Sequence, residues 1–440
     1  MTATLDGQSA SANLTVTNQG TAITWGSVLQ GGDSNAVQPL LTNVRTIFST
    51  STAFAALKLD GTVVSWGAES SGGNSNAEQP LLTNVRTIFS TMDAFAALKL
   101  DGTVVTWGTA SQGGDSNAVQ PLLTNVQSIF STSTAFAALK QDGTVVTWGT
   151  ASQGGDSSAV QPLLVNVQSI FSTSTAFAAL KQDGTVVTWG TASQGGDSSA
   201  VQPLLTNVRT IFSNMQTVFS ASTSFAALKQ DGTVVTWGTA SQGGDSSAVQ
   251  PLLTNVQTIS SNSWAFAALK QDGTVVTWGT ALQGGNSSAV QTQLTNVRAI
   301  FNNRYTFAAL KSDGTVVTWG RAPSGDPAGG NSSAVQAQLT SVQTISSSNL
   351  AFAALKQDGT VVTWGTASQG GDTTAVQARL TNVRAIFSTS AAFAALKQDG
   401  TVVTWGSVSL GGDGSAVQAQ LTNVQTIFSG NGAFAALIGP

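Results

Sequence analysis

The stretch Phe136-Ala-Ala-Leu-Lys-Gln-Asp-Gly-Thr-Val-Val-Thr-Trp-Gly149 decides the fold of this chain. Its first part alternates in the period-two pattern of a strand, and the part after Asp142-Gly143 is rich in β-branched and aromatic residues. Because Asp-Gly between two apolar runs is a strong hairpin signal, the stretch predicts two strands joined by a type I′ turn. Lys140 and Asp142 flank this turn, and we expect them to form a solvent-screened ion pair.

The hairpin belongs to a tandem repeat that occupies nearly all of the 440 residues. Phe-Ala-Ala-Leu and Trp-Gly each occur ten times, mostly at steps of roughly 41 residues, and a third apolar run such as 126–130 precedes each hairpin. Each unit thus supplies three short strands and a turn-rich connection. Two segments break the spacing: 214–220 resembles a partial duplication, and 321–328 lengthens one connection.

The two ends of the repeat array are out of phase. The first strands are expected at 14–17 and 21–25, whereas the last unit contains 424–428 and 434–437 and lacks its third strand. If the strand at 21–25 completes the last unit, the array closes into a ring and two sheet edges disappear. The sequence therefore predicts an all-β fold, a β-propeller of about ten three-stranded blades closed by the N-terminal strand. An open β superhelix of the same repeats is the alternative. Residues 1–12 are interpreted as an N-terminal extension and 13–440 as a single repeat domain.

Composition argues against several classes of function. Charged residues make up 9% of the chain, the net charge is −4, and no basic stripe is present, so nucleic acid is not an expected partner. The chain contains no Cys and no His, its Glu residues are Glu69 and Glu78, and it has no Ser–His pair and no phosphate-binding loop, which argues against an enzyme. A hydrolase that uses paired Asp residues is the enzymatic alternative. We therefore expect no enzyme activity and no cofactor. Neither a signal peptide nor an apolar run long enough for a membrane span is visible.

Two sets of aspartates recur with the repeat, one in the Asp-Gly hairpins (Asp142 and its equivalents) and one in the Gly-Gly-Asp loops (Asp156 and its equivalents). A carboxylate ring or calcium sites are conceivable, but Ca²⁺ needs six to eight oxygen ligands and each loop offers one carboxylate. Turn formation is the better interpretation of both sets, and no metal site is expected. The tryptophans of the Trp-Gly pairs are expected to pack between blades rather than to form a sugar-stacking ladder.

The copies differ most in the short turn before Phe-Ala-Ala-Leu. Several units read Ser-Thr-Ser-Thr-Ala, whereas others carry large or charged residues. Equivalent turns of a ring lie on one face, and Trp, Tyr and Arg are the residues that most often dominate binding. The candidate contact patch is therefore centred on adjacent units and includes Trp264, Arg304, Tyr305, Leu350, Met92 and Asp93. Neutral drift at exposed turns is the alternative explanation.

The repeat Ala-Leu-Lys-x-Asp-Gly-Thr-Val-Val-x-Trp-Gly resembles that of the regulator of chromosome condensation family. Its short period is most similar to that of bacterial members, which include a β-lactamase inhibitory protein with three-stranded blades. The resemblance covers 13–440 and implies a β-propeller of antiparallel blades. The Gly-Gln-Leu-Gly connection of the family is replaced here by Gln-Gly-Gly-Asp, and no residue of this chain matches the family's nucleotide-exchange or chromatin-binding functions.

These observations together favour a non-catalytic binding or scaffolding module, using one loop face for contact with a protein partner. The low charge and the Ser- and Thr-rich surface suggest a bacterial extracellular or cell-surface protein. A structural protein that self-associates into a fibre or coat is the alternative function. Carbohydrate binding on polar and aromatic loop positions is a minor third possibility, with a glycan as the partner.

Overall fold

The computed structural model describes residues 20–213, 223–321 and 329–439. Within them the chain forms ten three-stranded antiparallel sheets, each of which is one blade of a β-propeller. The blades are numbered 1 to 10 in the order of their first strands along the chain. The predicted all-β propeller is confirmed. The N-terminal extension, the expected strand at 14–17, the duplication at 214–220 and nearly all of the insertion at 321–328 lie outside the described residues.

The strands of each blade, in the order first, second and third, are Val44–Ser49, Ala53–Lys58 and Val63–Gly67; Val85–Ser90, Ala94–Lys99 and Val104–Gly108; Val126–Ser131, Ala135–Lys140 and Val145–Gly149; Val167–Ser172, Ala176–Lys181 and Val186–Gly190; Val208–Ser213, Ser224–Lys229 and Val234–Gly238; Val256–Ser261, Ala265–Lys270 and Val275–Gly279; Val297–Asn302, Thr306–Lys311 and Val316–Gly320; Val342–Ser347, Ala351–Lys356 and Val361–Gly365; Val383–Ser388, Ala392–Lys397 and Val402–Gly406; and Val424–Ser429, Ala433–Ile438 and Thr21–Gly26.

Short 3-10 helices occupy the connections between blades. They are Val28–Gln30, Gln38–Leu40, Glu69–Ser71, Ala110–Gln112, Gln120–Leu122, Ala151–Gln153, Gln161–Leu163, Ala192–Gln194, Gln202–Leu204, Ala240–Gln242, Gln250–Leu252, Ala281–Gln283, Gln291–Gln293, Gln336–Gln338, Ala367–Gln369, Gln377–Arg379, Val408–Leu410 and Ser415–Gln420. The paired glycines let the chain reverse here: Gly154, for example, has a φ of 101°, and a Cβ on it would lie 2.5 Å from the ring of Phe177.

The first strand of each blade lies nearest the axis of the ring. First strands of neighbouring blades contact each other around the whole ring, including the pair Val424–Ser429 and Val44–Ser49, whereas third strands contact the connections. The turn between first and second strands lies at one end of the axis, which we call the turn face. The Asp-Gly hairpin between second and third strands lies at the other end, which we call the hairpin face.

The hairpin turn differs from the predicted type I′. In blade 3 the Gly143 N–H donates to the Lys140 carbonyl (3.0 Å) and the Lys140 N–H donates to the Thr144 carbonyl (2.9 Å). Gly143 has a φ of 78°, whereas Asp142 has no positive φ. This is a type I turn followed by a left-handed glycine. Asp142 keeps its backbone on the negative side of φ while its carboxylate accepts hydrogen bonds from the Thr144 amide (2.9 Å) and hydroxyl (2.6 Å).

The expected Lys–Asp ion pair is a minor feature. Among the described residues one such pair lies within bonding distance, Lys397 Nζ to Asp399 Oδ2 at 3.9 Å. Exposed ion pairs of this length contribute little to stability. The threonine after each Asp-Gly is therefore the main partner of the carboxylate.

The hydrophobic core is divided into ten clusters between neighbouring blades. Phe136 stacks on Trp148 with ring centroids 5.1 Å apart, and both rings are buried. The indole N–H of Trp148 donates to the carbonyl of Gly113 in the preceding connection (3.0 Å). The preceding blade offers Ala94 and Ala96 to this cluster, and such small side chains allow two sheets to pack closely. The predicted role of the Trp-Gly tryptophans in inter-blade packing is confirmed.

The strand Thr21–Gly26 closes the ring. It pairs with Ala433–Ile438, which places Trp25 opposite Phe434, and the two rings stack at 5.2 Å. The Trp25 indole donates to the Gly411 carbonyl (3.1 Å), as the other tryptophans do to their preceding connections. Blade 10 in turn packs against blade 1, because Ala433 and Ala435 share a cluster with Phe54. The predicted closure is therefore confirmed, and the structure is the closed form rather than an open superhelix.

Candidate protein-binding surface

The candidate residues lie in the inner turns, which are the three-residue turns between first and second strands. The described ones are 50–52, 91–93, 132–134, 262–264, 303–305, 348–350, 389–391 and 430–432, with 173–175 in blade 4 and Thr223 in blade 5. The first residue of each turn anchors it to the blade. In blade 3 the Thr132 hydroxyl donates to the Gln153 carbonyl (3.1 Å) and accepts from the Ala135 amide (3.0 Å). In blade 6 Asn262 makes the equivalent bonds to Gln283 (2.7 Å) and Ala265 (2.9 Å).

The middle residues of successive inner turns are joined by main-chain hydrogen bonds that run around the axis. On one side these bonds are Ser51 N–H to Met92 O (2.8 Å), Met92 N–H to Ser133 O (2.9 Å) and Ser133 N–H to Ser174 O (2.9 Å). On the other side they are Arg304 N–H to Asn349 O (3.2 Å), Asn349 N–H to Ser390 O (2.9 Å) and Ser390 N–H to Asn431 O (2.9 Å). The variable side chains therefore project from a backbone that is fixed by the bonds of the first turn residue and by the main-chain bonds between neighbouring turns.

The third residue of the inner turn pairs with a glutamine of the connection in the most regular blades. The Thr134 hydroxyl donates to Gln153 Oε1 at 2.7 Å. The same bond joins Thr175 to Gln194 (2.7 Å) and Thr223 to Gln242 (2.6 Å). This bond satisfies an amide oxygen that would otherwise be buried without a partner.

Four other blades have lost that bond. Their third turn residues are Asp93, Trp264, Leu350 and Gly432, and the matching glutamine oxygens are buried with no hydrogen-bond partner in the described structure: Gln112, Gln283, Gln369 and Gln30. A buried acceptor without a partner costs about 1–3 kcal/mol. Three of the six candidate residues therefore stand at positions where the chain gives up local stability.

One blade avoids this loss, and in another the third turn residue makes different bonds. In blade 9 the threonine is replaced by Ala391 and the glutamine by Leu410, so that neither side chain has a polar group to satisfy. Between blades 1 and 2, Asp93 Oδ1 accepts hydrogen bonds from Ser71 Oγ (2.7 Å) and Ser51 Oγ (3.0 Å). Asp93 therefore has a structural role that links two blades.

Four candidate residues come together on blades 6, 7 and 8. Tyr305 is half-buried, and two guanidinium groups lie over its ring, that of Arg304 at 5.5 Å and that of Arg321 at 5.3 Å from the centroid. Trp264 stands on the preceding blade and Leu350 on the following one, and both are half-buried. The Trp264 indole N–H is buried and has no partner among the residues described.

The remaining two candidates lie elsewhere on the ring. Met92 and Asp93 belong to blade 2, which lies opposite blade 7 in the ring, with four blades between them in each direction. They therefore do not extend the surface around Tyr305. We call the surface formed by Trp264, Arg304, Tyr305 and Leu350 the turn-face patch.

Sequence reasoning missed the glutamines of the connections and their pairing with the turns. A signal was present, because the change to Ala391 in the turn coincides with the change to Leu410 in the connection. One such coincidence among ten units does not show which positions touch. Recognising the pair required the register of turn against connection.

The repeated aspartates act as turn residues. The Thr144 hydroxyl and amide donate to Asp142 and hold the pKa of that carboxyl below its usual 3.8. In the loops, Asp115 Oδ1 accepts from the Asn117 amide (2.8 Å). The part of the chain that the structure describes holds no group of three acidic, His or Cys side chains placed to bind a metal ion, and none of its helices is long and apolar enough to span a lipid bilayer.

Comparison with known proteins yields likeness in structure alone. No described protein family and no curated protein matches the sequence. Among solved structures, Prp20p from Saccharomyces cerevisiae, the yeast RCC1, is similar at 13% identity over 96% of this chain and 92% of its own, with a TM-score of 0.40. Human WBSCR16 is similar at 13% identity over 96% of this chain and 99% of its own (TM-score 0.36), and the computationally designed Ika8 protein at 15% identity over 73% of this chain and 96% of its own (TM-score 0.32). We transfer no residue role from these likenesses.

Proposed function

We propose that this chain is a non-catalytic protein-binding module that contacts its partner through the turn-face patch. The observation that carries the proposal is the coincidence of large side chains with lost hydrogen bonds. In blades 6 and 8 the pairing threonine gives way to Trp264 and Leu350, each of which leaves a glutamine oxygen without a partner among the described residues. Natural sequences depart from local consistency mainly at functional or strained sites.

The chemistry of the patch suits a protein partner. Trp, Tyr and Arg supply most binding energy at protein interfaces, and here all three stand on two adjacent blades. The buried but unpartnered indole N–H of Trp264 could gain a hydrogen bond if a partner shifted the ring. Because main-chain bonds fix the turns, ordering the backbone would cost little on binding.

The setting we propose is a bacterial extracellular or cell-surface protein in which residues 13–440 act as one repeat domain. A net charge of −4 and a low content of charged residues support a surface rich in Ser, Thr, Asn and Gln. A protein that carries this module would present the turn-face patch to its partner on a rigid repeat scaffold.

The test compares protein capture by the native chain with capture by a variant that restores the residue of the regular blades. The variant is Trp264→Thr, Tyr305→Thr and Leu350→Thr in one chain, because threonine stands at this position in blades 3, 4 and 5. Immobilised native and variant chains are exposed to an extract of the native source, and captured proteins are quantified by mass spectrometry. We expect specific partners to be lost from the variant.

The matched control is Met92→Ser, which changes an inner turn far from the patch to the serine of blade 3. This control should capture the same proteins as the native chain. If the threonine variant also captures the same set, the turn-face patch is not the binding surface.

Self-assembly is the second candidate function, and a specific observation favours it. The connections leading from blade 10 into blade 1 and on to blade 6 each expose a leucine to more than half of its full area: Leu40, Leu81, Leu122, Leu163, Leu204 and Leu252. The later blades carry Gln293, Gln338, Arg379 and Gln420 at this position. The six exposed leucines therefore follow one another on successive connections, which we call the apolar arc, and exposed apolar surface often marks an interface.

Analytical ultracentrifugation separates the two candidate functions. A fibre or coat protein should form larger species as its concentration rises, and replacing the six arc leucines by Gln should abolish them. A native chain that stays monomeric at high concentration would rule out assembly through the arc. Carbohydrate binding remains a minor alternative, because the Trp-Gly tryptophans such as Trp148 are about 4% exposed and offer no stacking face.

A further inference from the structure

A ring of arginine and glutamine side chains surrounds the axis at the hairpin face. The second residue of each first strand is arginine in five blades and glutamine in the other five: Arg45, Arg86, Arg209, Arg298 and Arg384, and Gln127, Gln168, Gln257, Gln343 and Gln425. In blade 1 the strand register shifts between Val44 and Thr46, so Arg45 is the extra residue of a β-bulge. Because first strands lie nearest the axis, these side chains stand around the axial opening. We call them the arginine ring.

The guanidinium groups are held in place by the next blade. Arg209 Nη2 donates to the Gln257 carbonyl (2.8 Å), and Arg384 Nη2 donates to the Gln425 carbonyl (2.9 Å). Arg86 makes the same contact with the Gln127 carbonyl. A guanidinium carries five N–H donors, so each arginine keeps most of its donors for another acceptor. Four of the five arginines are exposed, and Arg45 is half-buried.

The positive charge of the ring is not neutralised by carboxylates. Within the described ranges 20–213, 223–321 and 329–439, no carboxylate oxygen lies within 4.0 Å of these five arginines. The repeated acids on this face are the hairpin aspartates, which stay ionised because the following threonine donates to them, as the Thr62 amide (2.9 Å) and hydroxyl (2.6 Å) do to Asp60. Each of them stands two residues after a lysine, so the hairpins add no net charge to this face. Like charges gathered around an opening raise the local potential and attract anions.

We infer that the arginine ring binds a multiply charged anion of the phosphate type at the axial opening of the hairpin face. The arginines belong to blades 1, 2, 5, 7 and 9, so their charges are distributed around the opening instead of being confined to one side of it. Guanidinium groups match phosphate oxygens in paired hydrogen bonds, and this geometry distinguishes them from lysine. The five glutamines add neutral amide donors between them. This site is at the opposite end of the ring from the turn-face patch and does not depend on it.

The test uses sodium tripolyphosphate as the probe in isothermal titration calorimetry at low ionic strength. The decisive variant changes all five arginines to Gln, which is the residue that the other five blades carry at the same position. The fold should therefore tolerate the change, and circular dichroism and thermal unfolding verify this. We expect one bound tripolyphosphate per chain, affinity that falls as salt rises, and a loss of at least about a hundredfold in the variant.

The matched control is Arg379→Gln, an exposed arginine of a connection outside the ring. It should bind tripolyphosphate like the native chain. Equal affinity in the native chain and the five-glutamine variant would overturn the site, as would the absence of any binding heat with the native chain. Tighter binding of a hexaglutamate peptide than of tripolyphosphate would overturn the assignment to phosphate.

Discussion

The hydroxyl of Thr134 donates a 2.7 Å hydrogen bond to the side-chain oxygen of Gln153, which joins the inner turn of blade 3 to its connection. We predict that Thr134→Ala destabilises the chain by about 1–2 kcal/mol, because the glutamine oxygen keeps its burial and loses its donor. Urea unfolding followed by tryptophan fluorescence measures the change.

The chain itself supplies the control for this prediction. Blade 9 pairs Ala391 with Leu410 at the same two positions. The double variant Thr134→Ala, Gln153→Leu reproduces that pair and should recover most of the stability lost in the single variant. If the double variant is as unstable as the single one, the cost does not come from the unpartnered oxygen.

Substitution of Trp25 should affect aggregation as well as stability, because Trp25 lies on the strand that closes the ring. We predict that Trp25→Ala costs about 3–5 kcal/mol through lost packing against Phe434 and, in addition, loosens the only strand that completes blade 10. An edge freed in this way should pair with other molecules, so the variant should aggregate at a lower temperature. Thermal unfolding combined with light scattering detects both effects.

Trp148→Ala serves as the comparison, because Trp148 makes the same stacking contact inside blade 3. There the third strand is joined to the second strand by the short hairpin and is not supplied from a distant part of the chain. The loss of stability should be similar, without the early aggregation. Equal aggregation of the two variants would contradict a special weakness at the closing strand.

A side chain on Gly143 would be strained at its position in the hairpin. Its φ is 78°, and a Cβ would lie 3.1 Å from the Cα of Asn166 in the next blade. We predict that Gly143→Ala destabilises the chain by about 1–2 kcal/mol, from the strained φ and from displacement of the bond that the Gly143 carbonyl accepts from the Val167 amide (2.9 Å). Differential scanning calorimetry measures the shift in Tm.

Gly414 provides the opposite expectation. It has a φ of −100° and occupies the place that Ser157 takes in another connection, where the Thr147 hydroxyl donates to the serine at 3.0 Å. Gly414→Ser should therefore be neutral or stabilising. A loss comparable with that of Gly143→Ala would show that the backbone angle is not the cause.

The stability of the propeller should fall in acid and vary little near neutral pH. Hydrogen bonds from the following threonine lower the pKa of Asp142 and of Asp183 below 3.8 in the folded chain. A carboxyl with a lowered folded pKa stabilises the fold above its unfolded pKa, and that contribution disappears as the pH falls through the folded value. The Tm should therefore drop below about pH 4.

The absence of His predicts a flat profile between about pH 5 and pH 8. Thr144→Val removes the largest cause of the shift at Asp142 and should weaken the acid dependence slightly. Measurement of the Tm across this range checks the shape of the curve. A Tm that rises on acidification would contradict the assigned sign.

Most of the fold could be predicted from the sequence, because strand period and repeat spacing act locally and are copied ten times. Closure by 21–25 could also be predicted, since a count of strands shows one spare at the start and one missing at the end. The hairpin turn type could not. Asp-Gly is compatible with two turn families, and the bond from Thr144 to Asp142 favours the one in which the aspartate has no positive φ.

The candidate surface could be predicted in part. Variable residues located the inner turns, but the register that brings Tyr305 between Arg304 and Arg321 depends on how the connection returns over the turn. Likewise, Met92 looks like part of the same patch in sequence and lies on a distant blade. The distance between two turns depends on how many blades separate them around the ring. Aligning the turns of all repeats shows that they are equivalent but not how far apart they lie.

The pairing of Thr21–Gly26 with Ala433–Ile438 has a consequence for biosynthesis. Of the strands in the ring, Thr21–Gly26 leaves the ribosome first, and it can pair correctly only after Ala433–Ile438, which leaves last, has been synthesised. Throughout translation the nascent chain therefore exposes hydrogen-bonding groups at both ends of a growing stack, and every earlier copy offers almost the same docking site. Correct folding therefore requires that Thr21–Gly26 does not pair with the second strand of an earlier blade before Ala433–Ile438 has been synthesised.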